Sequence, residues 1–369
     1  MWTKDLEKGW SETMDYYVFV TKRCNMKCAY CCENQEWTQI RGFNVVEKPD
    51  YDIPDLIKFI LKNRERFNDD EVYIILYGGE PLLNQTWIKE FMRQAEEYNF
   101  RYALFTNGVL LPESDDYVIE RLSYLFVSID GLEEINDRFR GKGNYRKVLS
   151  GLSSIEKKFN GKKIAMMTMT PYNKIYESVL DIVDKFDFIY WKLLSSNELE
   201  NAEDFKRNYD KGLDLLIDYW IREMKKGRVV GLIPFLAVVT TLLDGIKQEN
   251  FRCNVGDILV TVDTDGNCYS CDELVDEKHR IGSIYGSIKK RRIPYSKRCK
   301  KCEYRYVCGG RCPKEEILFP SEVVDYHCDL TKMLIDKLRE KVSMVEELID
   351  KGVVKRVDFN FPHLTSEIP

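Results

Sequence analysis

The chain has no apolar stretch long enough to cross a membrane. Its longest apolar run, 229–243, contains Gly231 and Pro234 and falls short of the roughly 20 residues a spanning helix needs. It reads as a buried helix or pocket wall. The residues up to Asp15 are charged and lack the apolar centre of a secretion signal. No membrane association is expected, and a cytoplasmic location follows. A concentrated basic stretch is also lacking. The formal net charge is -5, with both signs spread along the chain, which excludes non-specific nucleic-acid binding as the main role. No internal repeat and no low-complexity segment breaks the sequence. A hydrophobic share of 44% over 369 residues supports one large folded domain plus a smaller one.

What the chain does have is cysteine: twelve of them. In a reducing compartment they are not expected to form disulfides. Ligation of a metal or cluster is the default reading.

The first two-thirds alternates strand and helix patterns. Short apolar runs at Tyr16–Thr21, Val72–Leu76, Tyr102–Phe105, Leu125–Ile129, Lys163–Met169 and Phe188–Leu193 read as strands buried on both faces. Helical stretches lie between them, among them Pro54–Phe67, Thr86–Tyr98, Tyr145–Phe159 and Lys174–Phe186. Six strands with crossover helices predict a parallel α/β sheet or an incomplete barrel, with ligands at the carboxyl ends of the strands. Ala202–Gly227 reads as a long amphipathic helix. Asp257–Val262 and Asn267–Cys271, joined by Asp263-Thr264-Asp265-Gly266, predict a β-hairpin. Cysteine-rich loops follow, then a terminal helix over Asp329–Lys351.

Directly after the first predicted strand stand Cys24, Cys28 and Cys31, spaced Cys-x-x-x-Cys-x-x-Cys. Three close thiolates hold three irons of a 4Fe–4S cluster and leave the fourth open to a small ligand. Structural zinc is the alternative, but it is normally closed by four ligands. Cys32 is read as a spare thiol, because side chains adjacent on a tight loop rarely reach one cube. Tyr77-Gly78-Gly79-Glu80-Pro81 ends the second strand, Thr106-Asn107-Gly108 the third and Ser128-Ile129-Asp130-Gly131 the fourth. Each alone suits a turn.

The triad and these strand ends, in this order, resemble the radical S-adenosylmethionine (SAM) superfamily. The resemblance implies a partial (β/α)6 TIM-type barrel. It implies SAM contacts from Gly78, Gly79, Glu80, Asn107, Ser128 and Asp130, with the Glu80 carboxylate meeting the SAM amino group. Tyr30 would lie by the adenine and Arg140 would meet the SAM carboxylate, a surface ion pair being the alternative for Arg140. Related enzymes often carry His-Asp-x-x-Arg where this chain has Asn136-Asp137-Arg138-Phe139-Arg140, so any role of that histidine is absent.

A second set comprises Cys253, Cys271, Cys299, Cys302, Cys308, Cys312 and Cys328, with four residues between Gly266 and Cys271. It resembles the SPASM extension, which binds auxiliary 4Fe–4S clusters. The resemblance implies that Cys299, Cys302, Cys308 and Cys328 hold a distal cluster and that Cys253, Cys271 and Cys312 hold a proximal one, three clusters in all. Cys268 remains as an extra candidate ligand, although on a strand it would point away from Cys271. A zinc ribbon is the alternative for the C-terminal set alone. The expected organisation is a barrel over 1–200, a helical linker over 201–252, a SPASM domain with a β-hairpin over 253–330, and a helix and tail over 331–369.

The chemistry implied by the resemblance is reductive cleavage of SAM to a 5′-deoxyadenosyl radical, which abstracts hydrogen from a substrate. Asp272, directly after Cys271, matches the aspartate proposed as the base in anaerobic sulfatase-maturating enzymes; a turn or cap is the other reading. SPASM proteins mostly modify peptides or proteins, and this chain also resembles a set of peptide-modifying SPASM proteins of archaea. A peptide or protein substrate is therefore expected, modified by a thioether, a carbon–carbon crosslink or another oxidation. Formylglycine formation is the alternative. About fifteen residues precede the first strand, which leaves no room for a winged-helix leader-binding domain, so a separate leader-peptide-binding protein is an expected partner. A low-potential electron donor of ferredoxin or flavodoxin type is another. A non-enzymatic electron carrier or zinc scaffold is the reading from another class; Gly78-Gly79-Glu80 argues against it.

Overall fold

The computed structural model of the chain describes residues 14–31, 47–67, 71–196, 199, 201–364 and 366–369. Six strands, β1 (Asp15–Thr21), β2 (Tyr73–Gly78), β3 (Arg101–Thr106), β4 (Leu122–Ser128), β5 (Lys162–Met169) and β6 (Phe188–Leu193), lie side by side in sequence order. Every neighbouring pair among them is parallel. β1 is buried along its whole length, as a strand covered on both faces must be. The helices α1 (Ile53–Phe67), α2 (Gln85–Gln94), α3 (Asp116–Glu120), α4 (Glu133–Arg140), α5 (Asn144–Ile155) and α6 (Ile175–Ile182) lie between them in the chain. This is the expected partial barrel: β1 and β6 do not pair with each other.

The open ends of the six-stranded unit take other partners. α7 (Ala202–Met224) buries Phe205, Tyr209, Leu213, Leu216 and Trp220 on one stripe, the pattern of an amphipathic helix. The apolar run becomes a two-residue strand, β7 (Gly231–Leu232), pairing with β6, and then α8 (Ile233–Leu243). α8 buries Ile233, Phe235, Leu236, Val238 and Val239; a helix apolar on all sides belongs in the interior.

On the other side, the predicted hairpin forms from β8 (Leu259–Val262) and β9 (Asn267–Tyr269), antiparallel. β8 also runs parallel to β1, from Asp15 opposite Leu259 to Val18 opposite Val262. A third strand, β10 (Arg280–Ser283), completes a ten-stranded sheet. The hairpin therefore extends the barrel sheet. The short helices α9 (Lys297–Lys300), α10 (Arg305–Cys308) and α11 (Pro313–Leu318) carry cysteines at or beside their ends.

The terminal helix is two helices: α12 (Ser321–Arg339) and α13 (Val342–Asp350). The expectation of one helix over Asp329–Lys351 is corrected here. α12 ends as the Glu340 N–H bonds to the Asp336 carbonyl, and the chain turns so that Val345 and Leu348 are buried, with α13 packing against α8. Among the described residues no helix is long and apolar enough to cross a membrane.

Candidate active site

The first three thiols sit on the loop that leaves β1. Two glycines fix that loop. Gly78 has φ +136°, and a Cβ on it would stand 2.1 Å from the Thr21 carbonyl oxygen; one on Gly79 would stand 2.3 Å from the Arg23 carbonyl oxygen. Only glycine permits this approach. The contact is also bonded: the Gly79 N–H donates to the Thr21 carbonyl at 2.9 Å and the Glu80 N–H to the Arg23 carbonyl at 2.8 Å. The glycines of the strand end thus dock the cysteine loop.

Glu80 is fully buried. Its Oε1 accepts from the Leu82 N–H at 3.1 Å and from Thr106 Oγ1 at 2.9 Å, and its Oε2 accepts from the Asn107 N–H at 2.7 Å. Burial pushes its carboxyl up to about 7, against the pull of those donors. Asn107 Nδ2 donates to Asn25 Oδ1 at 2.7 Å and points at Cys24 Sγ, 3.8 Å away. The ends of β2 and β3 therefore hold the loop beside Cys24.

The end of β4 holds the other side. Asp130 is buried and takes a two-pronged bond from Arg140, both contacts at 2.8 Å. It also accepts from the Thr168 N–H at 2.9 Å and from the Tyr30 hydroxyl. Tyr30 stacks on Phe139, ring centres 5.6 Å apart, and the Ala29 N–H donates to the Phe139 carbonyl at 2.8 Å. Arg140 is therefore a buried partner of Asp130 and not a surface ion pair. Asn136, where relatives by motif carry histidine, donates to Asn144 Oδ1 at 2.9 Å and accepts from the Asp130 N–H. Ser128 ends β4 opposite Met166.

The thiols fall into three neighbourhoods. Cys24, Cys28 and Cys31 share one: burial raises Cys28 to about 11, Arg140 pulls it down, and Cys31 and Cys24 raise it further. Cys253, Cys271 and Cys312 share a second. Burial and then Cys312 raise Cys253 to about 12, and Cys271 is raised by burial, Asp272, Cys312 and others including Cys253. In the third, burial raises Cys328 to about 12, with Cys308 and Cys299 adding to it against Arg311. Cys302 stands beside Cys299, its backbone N–H donating to the Cys299 carbonyl at 3.2 Å. All described cysteines are free. Cys32 lies outside the described residues. Cys268 is fully buried in the main core, raised by burial and by Asp265, and stands apart from the three groups.

Among the described residues no three His, Cys, Asp or Glu side chains converge tightly enough for one metal ion. A 4Fe–4S cluster spreads its thiolates over separate irons, so its ligands stand further apart than those of zinc. The first loop offers three half-buried or exposed thiols, which repel one another as thiolates and gain by binding cationic iron. That donor set fits a cluster.

Asp272 directly follows Cys271, just beyond the hairpin strand β9. Tyr17 on β1 and Lys192 on β6 both lie within its electrostatic reach. Burial and Glu273 raise its carboxyl, while Lys192 and Lys314 pull it down. Lys314 is tied to Glu273 at 3.0 Å. Lys192 is the exposed residue of an otherwise covered strand end, a signal present in the sequence and not used there.

The chain's last segment was also not anticipated as part of this region. Leu364 accepts from the Tyr17 hydroxyl at 2.6 Å, Ser366 bonds to Tyr190, and Glu367 pairs with the buried Arg252 at 2.7 Å. Arg311, beside Cys312, ion-pairs with Glu315 at 2.9 Å. Its backbone N–H points at Cys299 Sγ, 3.3 Å away, so residue 311 links the second and third thiol groups.

Residues 18–185 match the family model described as the Radical SAM superfamily. A cysteine-type anaerobic sulfatase-maturating enzyme of Clostridium novyi (strain NT) is 24% identical over 89% of this chain and 96% of its own length. A protein of Archaeoglobus fulgidus, described as uncharacterised, is 25% identical over 81% of this chain and 74% of its own. The solved structure of native anSMEcpe with bound AdoMet and Cp18Cys peptide superposes with a TM-score of 0.71 at 20% identity, covering 91% of this chain and 99% of that one. That likeness is one of fold. The three-thiol loop and the strand ends that clasp it thus lie within residues 18–185, the part of this chain that matches the Radical SAM superfamily model.

Proposed function

We propose that the protein is a radical SAM enzyme with two auxiliary 4Fe–4S clusters that oxidises or crosslinks a residue of a peptide or protein. The observation that carries this is the grouping of thiols: three on the β1 loop, three around Asp272 and four beyond. Cys24, Cys28 and Cys31 would hold the SAM-binding cluster. Cys253, Cys271 and Cys312 would hold the proximal auxiliary cluster, and Cys299, Cys302, Cys308 and Cys328 the distal one, as in a SPASM extension. When bound, cluster and SAM supply a 5′-deoxyadenosyl radical that takes hydrogen from the substrate. The chain's own part is to hold and enclose. Asn107, Ser128 and Asp130 stand at the strand ends where SAM would lie, and Arg140, at the end of α4, reaches Asp130 there. Tyr30, packed between Phe139 and Asp130, keeps the loop in register. Asp272, directly after Cys271, would take the proton released on oxidation.

A second reading is formylglycine formation on a sulfatase cysteine or serine. It is supported by the sulfatase-maturating relative matched over nearly its full length, and by the aspartate directly after Cys271. The reductant would be a low-potential carrier, and a leader-peptide-binding protein would assist if the substrate is a ribosomal peptide.

The test is anaerobic reconstitution with SAM and dithionite, scored for 5′-deoxyadenosine and for the mass of added peptides. Sulfatase-motif peptides carrying cysteine or serine are run beside the peptides encoded next to this gene. Asp272→Asn should cleave SAM and form no product. Unchanged product from that variant removes Asp272 as the base. SAM left intact by the wild-type protein removes the enzymatic reading.

A further inference from the structure

Residues 280–310 contain ten lysines and arginines and one carboxylate, Glu303, in a chain whose net charge is -5. This segment departs from the even spread of both charge signs expected of the chain. Residues 289–292, Lys297, Lys300 and Lys301 are all exposed. Arg280 pairs with Glu277 at 3.2 Å, Arg298 with Glu316 at 3.0 Å and Asp325 at 2.7 Å, and Lys290 and Arg292 reach Asp257 at 3.5 and 3.7 Å, whereas no ion pair of Lys289, Lys297, Lys300 or Lys301 occurs among the described residues. The run is pinned from beneath. Tyr295 packs on Phe251, ring centres 4.6 Å apart, and the Ser296 hydroxyl caps α9 by accepting from the Cys299 N–H at 3.2 Å. The same short helix carries Lys297, Lys300 and Cys299, and Lys301 and Cys302 follow at once. Cys302 is itself part-exposed.

We infer that this face docks an acidic one-electron carrier protein of ferredoxin or flavodoxin class. The inference rests on the reading that Cys299, Cys302, Cys308 and Cys328 hold an iron–sulfur cluster. A strong local positive field on an otherwise acidic molecule attracts a negatively charged partner and orients it, while the remaining surface repels it. Redox encounters are small and transient, so a patch of this size suffices. Nucleic acid is the other polyanion such a patch could meet. The thiols that alternate with the lysines along α9 and just after it favour the redox carrier, because electron exchange requires that the two centres approach closely.

The test titrates the reconstituted holoenzyme with an acidic 4Fe–4S ferredoxin at low and high salt. The variant carries Lys289→Gln, Lys300→Gln and Lys301→Gln. Its control carries Lys225→Gln, Lys226→Gln and Lys341→Gln, with the same change in net charge around the groove between α7 and α13. Binding should weaken about tenfold in the first variant, its salt dependence should flatten, and the control should match wild type. Equal loss in both variants, or no loss in the first, overturns the inference. So does a first variant that loses heparin or polynucleotide binding alone. Iron per chain in Cys299/Cys302/Cys308/Cys328→Ala is measured separately. If no iron is lost there, the cluster reading fails whatever the ferredoxin does.

Discussion

At the residue scale, two buried carboxylates organise the first loop, and they differ in kind. Asp130 is paired, with Arg140 filling both its oxygens. Removing one partner of a buried pair leaves an uncompensated charge. Asp130→Asn should therefore destabilise the metal-free protein by about 3–5 kcal/mol in urea unfolding; a loss under about 1 kcal/mol would show that the guanidinium finds other partners. Among the described residues no ion pair of Glu80 occurs, and burial raises it to about 7. The folded state then holds this proton more tightly than the unfolded chain does. Its stabilising contribution is complete below the unfolded value near 4.3 and is lost as pH rises through about 7. The stability of wild type relative to Glu80→Gln should fall from pH 4.5 to 7.5, by about 3 kcal/mol as an order of magnitude. A flat or rising difference would contradict the assignment.

At the scale of elements, the strand ends do the positioning. Gly79→Ala places a Cβ against the Arg23 carbonyl, so the loop after β1 must move. This variant should fold and lose about four irons per chain, those of the first cluster, with 5′-deoxyadenosine formation falling in step. Full iron retention would mean that the loop adapts. These positions were legible in the sequence because glycine, asparagine and aspartate at the ends of apolar runs announce tight backbone geometry. The roles of Tyr30 and Arg140 were less so. Their partner Asp130 lies 100 residues from Tyr30 in the chain, and spacing alone does not show a stacked, buried hydroxyl. The break between α12 and α13 was also hidden. Neither Gly nor Pro marks Glu340-Lys341, and the turn comes from packing on α8. β10 escaped for a similar reason: at four residues, its pairing with β9 defines it more than its own pattern does.

At the scale of the whole molecule, the change of sequence pattern at Cys253 predicts a boundary just before it. The fold carries backbone pairing across it, through β1 and β8, and the last residues return to Tyr17 and Tyr190 on the barrel strands. Such a chain should unfold as one cooperative unit. Denaturation of the metal-free protein followed by far-ultraviolet circular dichroism and by tryptophan fluorescence should give coincident transitions. Two separated transitions would show that the halves are independent.

The central claim is that ten cysteines form three cluster sites. Iron and sulfide are counted per chain in anaerobically reconstituted wild type and in three variants, each with one thiol group changed to alanine. The account predicts about twelve irons in wild type and about eight in each variant, with SAM cleavage abolished by loss of Cys24, Cys28 and Cys31. About four irons in wild type, or zinc held by the C-terminal cysteines, would contradict it.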